Sequence, residues 1–185
     1  MPPDPRDEIT THLGPLRAFA RTLAPNRDKA DDLVQETLIK ALANIDSFEP
    51  GTNMRAWLLT ILRNSYFSDR RRSWREETEL DERLLEGLSR QPDHDGWLAL
   101  SDFARALVAL PATQREALGL VGLQGLSYAE AAQISGCAVG TIKSRVARAR
   151  GVLSENLGLG SDPGAELTDR MTLAAMSTCG YGSSL

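Results

Sequence analysis

The sequence is poor in the residues that build metal and redox centres. It holds two cysteines, Cys137 and Cys179, far apart and in no CxxC spacing, and two histidines, His12 and His94, without metal-ligating neighbours. A zinc site or disulfide framework needs more ligands at closer spacing, so the thiols are expected to be reduced and structural. No apolar run approaches the ~20 residues of a membrane span. The first residues, MPPDPRDE, are acidic and carry no apolar stretch, so they do not read as a signal peptide, and a cytoplasmic chain is expected. There is no phosphate-cradling glycine loop, no nucleophile elbow and no HExxH. The carboxylates gather in one charged stretch rather than in a pocket-like pattern. No catalytic site, cofactor, metal or small-molecule substrate is expected. Internal repeats and strand alternation are missing too, which leaves an all-α chain. An excess of positive charge is also lacking. The 185 residues carry a net charge of -4, unlike a protein that coats nucleic acid.

The distribution of charge says more than its sum. Residues 55–75 hold six arginines against Asp69, and residues 141–150 hold Lys143, Arg145, Arg148 and Arg150 with no acid. Between them, residues 76–102 hold nine acids and two bases. Two basic patches separated by an acidic connector suit two contacts on one polyanion, joined by a segment that the polyanion repels.

The second patch sits in LSYAEAAQISGCAVGTIKSRVARAR, residues 126–150. Ser127 precedes Glu130 by three residues, the spacing of a capping box that starts a helix. Gly136 stops that helix, because glycine takes the left-handed conformation that helix ends favour. A second helix starts near 139–141. Ile142, Val146 and Ala149 face inward at helical spacing, and Thr141, Lys143, Ser144, Arg145, Arg148 and Arg150 remain on its other faces. This is the layout of a helix-turn-helix, whose second helix enters the major groove. An ordinary helical hairpin with a solvated basic face is the alternative.

Elsewhere the apolar spacing predicts a helix over 8–23, which Pro15 interrupts or restarts. A second spans 28–43, with Leu33, Val34, Thr37, Leu38, Ala41 and Leu42 as its stripe. A loop over 46–53 follows, and Asn53 can cap a third helix over 54–72. Residues 74–97 read as a flexible acidic linker with one short helix near 80–88. A second domain over 98–157 has helices at 98–110 and 113–123 ahead of the helix-turn-helix, with Pro111 in a first turn. Residues 158–185 read as a flexible tail with a weak helix at 166–176. The expected architecture is two small helical domains, 8–73 and 98–157.

Two blocks together resemble one family. DDLVQETLIKAL (31–42) and SFEPGTNMRAWLLTILRNSYFSDRRR (47–72) resemble the second conserved region of bacterial sigma factors. LPATQREALGLVGLQGLSYAEAAQISGCAVGTIKSRVARAR (110–150) resembles their fourth. The short connector resembles the extracytoplasmic-function (ECF) class. SYAEAAQISGCAVGTIKSR resembles its alphaproteobacterial general-stress-response subgroup. The resemblance covers about residues 8–157. It implies a dissociable initiation subunit that binds core RNA polymerase, reads the −35 and −10 elements of promoter DNA, and answers to an anti-sigma factor.

The resemblance also distributes roles. Asp32, Gln35, Glu36 and Ile39, which share one helix face, would dock on the polymerase; a merely solvated face is the alternative. The loop 48–53 and Asn64 match the part that grips an unpaired −10 base. An amide such as Asn53 or Asn64 can read a base edge, and Phe48 would stack on the base or wall its pocket, or else plug the core under the loop. Arg63, Arg70, Arg71 and Arg72 would contact phosphates, which position without specifying sequence. Trp57 and Leu58 read as core, and Tyr66 and Phe67 fit either role. In the second basic helix Thr141, Lys143, Ser144, Arg145 and Arg148 match the −35 face, while Arg145 and Arg150 also suit backbone contacts or pairing with acids. Cys137 reads as packing at the turn, and Ala147 stands where a larger side chain would reach DNA. Two rivals share these residues. A helix-turn-helix regulator gives 31–72 no role in polymerase binding. A sigma-like decoy that sequesters an anti-sigma factor supports no promoter-specific transcript.

Overall fold

A computed structural model describes residues 5–24, 26–76 and 95–157. The helices expected near 80–88 and 166–176, together with His94 and Cys179, lie outside the described residues. Those residues form two compact units, divided at Asp81/Glu82, and helix is their only regular secondary structure.

The first unit contains α1 (Pro5–Thr11), α2 (Leu13–Leu23), α3 (Arg27–Ala43) and α4 (Met54–Glu76). The helix expected over 8–23 is two helices, and Pro15 explains why. In an unbroken helix its missing N–H would have served the carbonyl of Thr11. The chain instead bends at His12 (φ −97°, ψ 2°), which leaves Pro15 in the first turn of α2, where amides lack helical partners anyway. Asn26, which reads from sequence as part of a break, caps α3 by accepting from the Lys29 amide at 3.1 Å. Asn53 caps α4 as expected, accepting from the Ala56 amide at 3.1 Å. The core joins Leu16, Phe19 and Leu23 of α2 to Leu33, Val34 and Ala41 of α3 and to Leu58, Leu59 and Leu62 of α4. Thr37 is fully buried, and its hydroxyl is satisfied by donating to the Leu33 carbonyl at 2.7 Å. The α3 stripe ends sooner than expected: Leu38 is half-buried and Leu42 is exposed. Leu42 lies nine residues from Leu33, about half a turn round the helix at ~100° per residue.

The second unit contains α5 (Asp95–Ala109), α6 (Ala112–Leu118), α7 (Tyr128–Ser135) and α8 (Val139–Leu157). The first of these starts three residues ahead of the expected 98. Pro111 caps α6 from outside rather than sitting in its first turn. The helix expected through 123 keeps α geometry only to Leu118 and closes as a π turn, Gly119–Leu123, in which the Gln124 amide donates to the Gly119 carbonyl at 2.9 Å. Arg115 is buried and donates to the carbonyls of Val108 and Leu110 at 2.8 and 2.6 Å, satisfying acceptors at the end of α5. The capping box at Ser127 and Glu130 forms in both directions. Gly136 takes φ 61°, and the Cys137 amide closes the helix end on the Ala132 carbonyl at 3.1 Å. Phe103, Leu118, Ile134, Ile142, Val146, Ala149 and Leu153 form the core, so α8 is fixed through one seam and leaves its far side to solvent.

Candidate nucleic-acid interface

Three surfaces carry the residues singled out above. On α3, Asp32, Gln35 and Ile39 are exposed and Glu36 is half-buried. Ile39 is 69% exposed and Leu42 49%, which places two large apolar side chains in water near the carboxylates. Glu36 forms an ion pair with Lys40, one turn further along. Lys40 also donates to the buried Ser65 hydroxyl of α4 at 2.9 Å.

Beside this face lies an open cavity of about 440 Å³, whose lining includes Lys40, Asn44, Ser47, Trp57, Asn64 and Ser65. It is within the size range of small-ligand sites. Here both aromatic side chains depart from their assignments. Phe48 is 7% exposed and does plug the core under the loop, so its base-stacking role is corrected. Trp57, read as core, is half-buried, packs against Phe48 with ring centroids 5.3 Å apart, and lines the cavity. Asn64 is exposed on the cavity wall, and its side-chain oxygen accepts from Arg63 at 3.1 Å. Asn53, occupied by its cap, does not join Asn64 in the lining. The sequence singles out neither Lys40 nor Asn44. Their only local signal is the Glu36–Lys40 spacing, since the approach of Ser65 comes from another helix.

The basic end of α4 is less uniform than its composition. The Arg63 guanidinium lies 4.7 Å from the Phe67 ring centroid, and Arg70 donates to the Tyr66 hydroxyl at 3.2 Å. Tyr66 and Phe67 meet edge to face at 5.1 Å, so both serve as a platform for these cations. Arg71 and Arg72 are exposed, as is Arg70. Arg72 lies nine residues from Arg63, about half a turn away, so the two cannot meet one strand from the same face.

On α8, Lys143 and Arg148 are exposed, and the Lys143 ammonium lies 5.9 Å from the Tyr128 ring centroid. Ser144 is half-buried, and its hydroxyl donates back to the Thr141 carbonyl at 2.9 Å. Arg145 departs from the DNA-facing assignment. Its guanidinium points to α6, 3.8 Å from the fully buried Glu116 carboxylate, and lies 3.9 Å from the Cys137 sulfur. The cause is position: Arg145 flanks the seam of Ile142, Val146 and Ala149. It follows the pairing-with-acids reading, with a partner, Glu116, that the sequence does not single out. Ala147 is exposed among the basic side chains and offers no reach.

Among the described residues no group of three His, Cys, Asp or Glu could hold a metal ion. Nor is any described helix long and apolar enough to cross a membrane.

Comparison with known proteins gives this arrangement a family. Residues 9–76 match Sigma-70 region 2, and residues 100–153 match Sigma-70 region 4. The ECF RNA polymerase sigma factor EcfG of Rhodopseudomonas palustris (strain TIE-1) is 56% identical over 149 residues, covering 80% of this chain and 82% of the relative. The ECF sigma factor SigC of Mycobacterium tuberculosis (strain CDC 1551 / Oshkosh) is 41% identical over 129 residues, covering 67% and 68% of the two chains. Among solved structures, the sigma factor RpoE in complex with the anti-sigma factor NepR from Bartonella quintana matches with a TM-score of 0.74 and 48% identity, covering 84% of this chain and 97% of that one. An identity of 56% over most of both chains, with the two regions in order, shows the family: the chain belongs to the ECF sigma factors of bacterial RNA polymerase.

Proposed function

We propose that the chain directs core RNA polymerase to promoters of stress-response genes, working in the cytoplasm without catalytic chemistry of its own. Asp32, Gln35, Glu36 and Ile39 dock on the polymerase. The cavity beside them takes an unpaired −10 base, stacked on Trp57 and read by the Asn64 amide, which suits extruded bases in general. Arg63, Arg70, Arg71 and Arg72 contact phosphates from different faces of α4. Lys143, Arg148 and the amino end of α8, with Thr141, address the −35 element. Lysine and arginine suit guanine O6 and N7. The observation that carries this reading is the cavity. It joins an aromatic face, an amide and a cation next to a basic helix.

Control by an anti-sigma factor follows from the same surfaces. A small protein that covers the α3 face and the exposed side of α8 blocks polymerase and DNA together. The RpoE relative is seen bound to an anti-sigma factor, which supports this part.

The test is reconstitution. Purified chain plus core polymerase should yield discrete run-off transcripts from a promoter library, and a Gln35→Ala/Glu36→Ala variant should lose them together with core binding. Transcription with no start-site preference refutes the reading. Intact core binding by that variant removes the docking assignment alone.

A further inference from the structure

Glu36 and the cavity are connected through one side chain. Lys40 holds the Glu36 carboxylate on one side and the buried Ser65 hydroxyl on the other, at 2.9 Å, and it is part of the cavity lining. An ammonium has three donors and no acceptor, so with two partners Lys40 keeps one donor for an occupant, but the Glu36 carboxylate offsets its charge. The ion pair is a surface one, with side-chain exposures of 46% and 36%, and such pairs are weak. A competing cation can displace Lys40 from Glu36 at small cost. The bond to Ser65 then keeps the ammonium at the cavity wall, with its charge available to an occupant.

We propose that Lys40 is a positioning residue that couples docking at Glu36 to binding of single-stranded DNA in the cavity. This rests on the polymerase-facing assignment of Glu36 made above. When a basic surface of the polymerase takes Glu36, Lys40 turns its charge to the nucleotide. When DNA takes Lys40, Glu36 becomes available to the polymerase. Coupling of this kind is reciprocal by linkage.

The experiment uses the full chain and a fluorescein-labelled non-template oligonucleotide from a promoter recovered by run-off selection. Affinities for core polymerase and for the oligonucleotide are measured separately, with far-UV circular dichroism confirming the fold of each variant. Glu36→Gln should weaken core binding yet strengthen oligonucleotide binding by the free chain, roughly two- to fivefold. A merely structural role would not move the two affinities in opposite directions. The gain should vanish in Glu36→Gln/Lys40→Gln. If it persists there, it reflects only removal of a repelling charge, and the coupling is overturned. If Glu36→Gln weakens core binding and leaves oligonucleotide affinity unchanged, the coupling is again overturned while docking stands. If core binding is unaffected, the docking assignment fails and the coupling fails with it.

Discussion

Replacing Arg145 by alanine separates a strut from a DNA contact. Its partner, Glu116, is fully buried on α6, and the two charges lie 3.8 Å apart. Removing one member of a wholly buried pair costs about 3–5 kcal/mol, because the other charge stays buried. An exposed pair is worth about 0–1 kcal/mol. Arg145 is 24% exposed, and 3.8 Å is longer than a charge-assisted hydrogen bond, so the cost falls between these limits. We expect Arg145→Ala to destabilise the second unit by about 2 kcal/mol. Arg148→Ala, on the open side of α8, should stay within about 0.5 kcal/mol of the parent. Amide hydrogen exchange of α6, α7 and α8 in the intact chain reads the difference. DNA binding by the folded fraction should then show the reverse order, with Arg148→Ala losing affinity and Arg145→Ala keeping it. If both variants lose −35 DNA equally at unchanged stability, Arg145 is a groove contact and its link to Glu116 is incidental.

The other predictions follow from the same geometry. Phe48→Ala should cost about 3–4 kcal/mol in a urea melt, because a buried ring leaves a cavity. Trp57→Ala should cost less stability but about 1–3 kcal/mol of single-stranded DNA affinity by fluorescence anisotropy; larger DNA loss in folded Phe48→Ala would refute this assignment of roles. If Arg71 meets a phosphate, Arg71→Ala should lower the salt slope of single-stranded −10 DNA binding by about 0.7 per lost contact, with affinity falling alike across sequences. Gly136→Ala and Gly151→Ala should move stability in opposite directions. Neither added Cβ meets an atom within 4 Å, but Gly136 has φ 61° and Gly151 sits in a helix with ordinary φ. The first should lose about 1–2 kcal/mol and the second gain about 0.5–1 kcal/mol, read as shifts of the thermal midpoint.

Helix starts and stops were largely legible because they are local. Ser127, Glu130 and Gly136 act within ten residues of one another, and the sequence prescribes what each does. Asn26 is hard to read because Pro25–Asn26 carries two messages, a break and a cap, and composition alone favours the first. The split at His12 was visible only as trouble around Pro15. Where the chain bends ahead of a proline depends on which carbonyl it would have deprived. Leu42 shows a different limit. An apolar stripe four residues apart drifts about 40° per step, so its last member leaves the core although its chemistry is unchanged.

The site was less legible because its properties are differences between side chains that look alike in sequence. Phe48 and Trp57 are both aromatic and near one turn, and only the folded loop decides which lies beneath. Arg145 and Arg148 belong to one basic row, yet one is drawn inward by Glu116, 29 residues away on another helix, and the other is not. The same subtraction applies to the first unit. Lys40 is engaged by Glu36 and Ser65, Arg63 by Asn64 and the Phe67 ring, and Arg70 by the Tyr66 hydroxyl. Counting cations therefore overstates the charge at once available to DNA. What remains readily available is set by how firmly each intramolecular partner holds. Exposed partners yield to a phosphate, and a fully buried carboxylate does not. Basic composition marks both candidate interfaces, but burial of the counter-charge selects which cations are open to serve them.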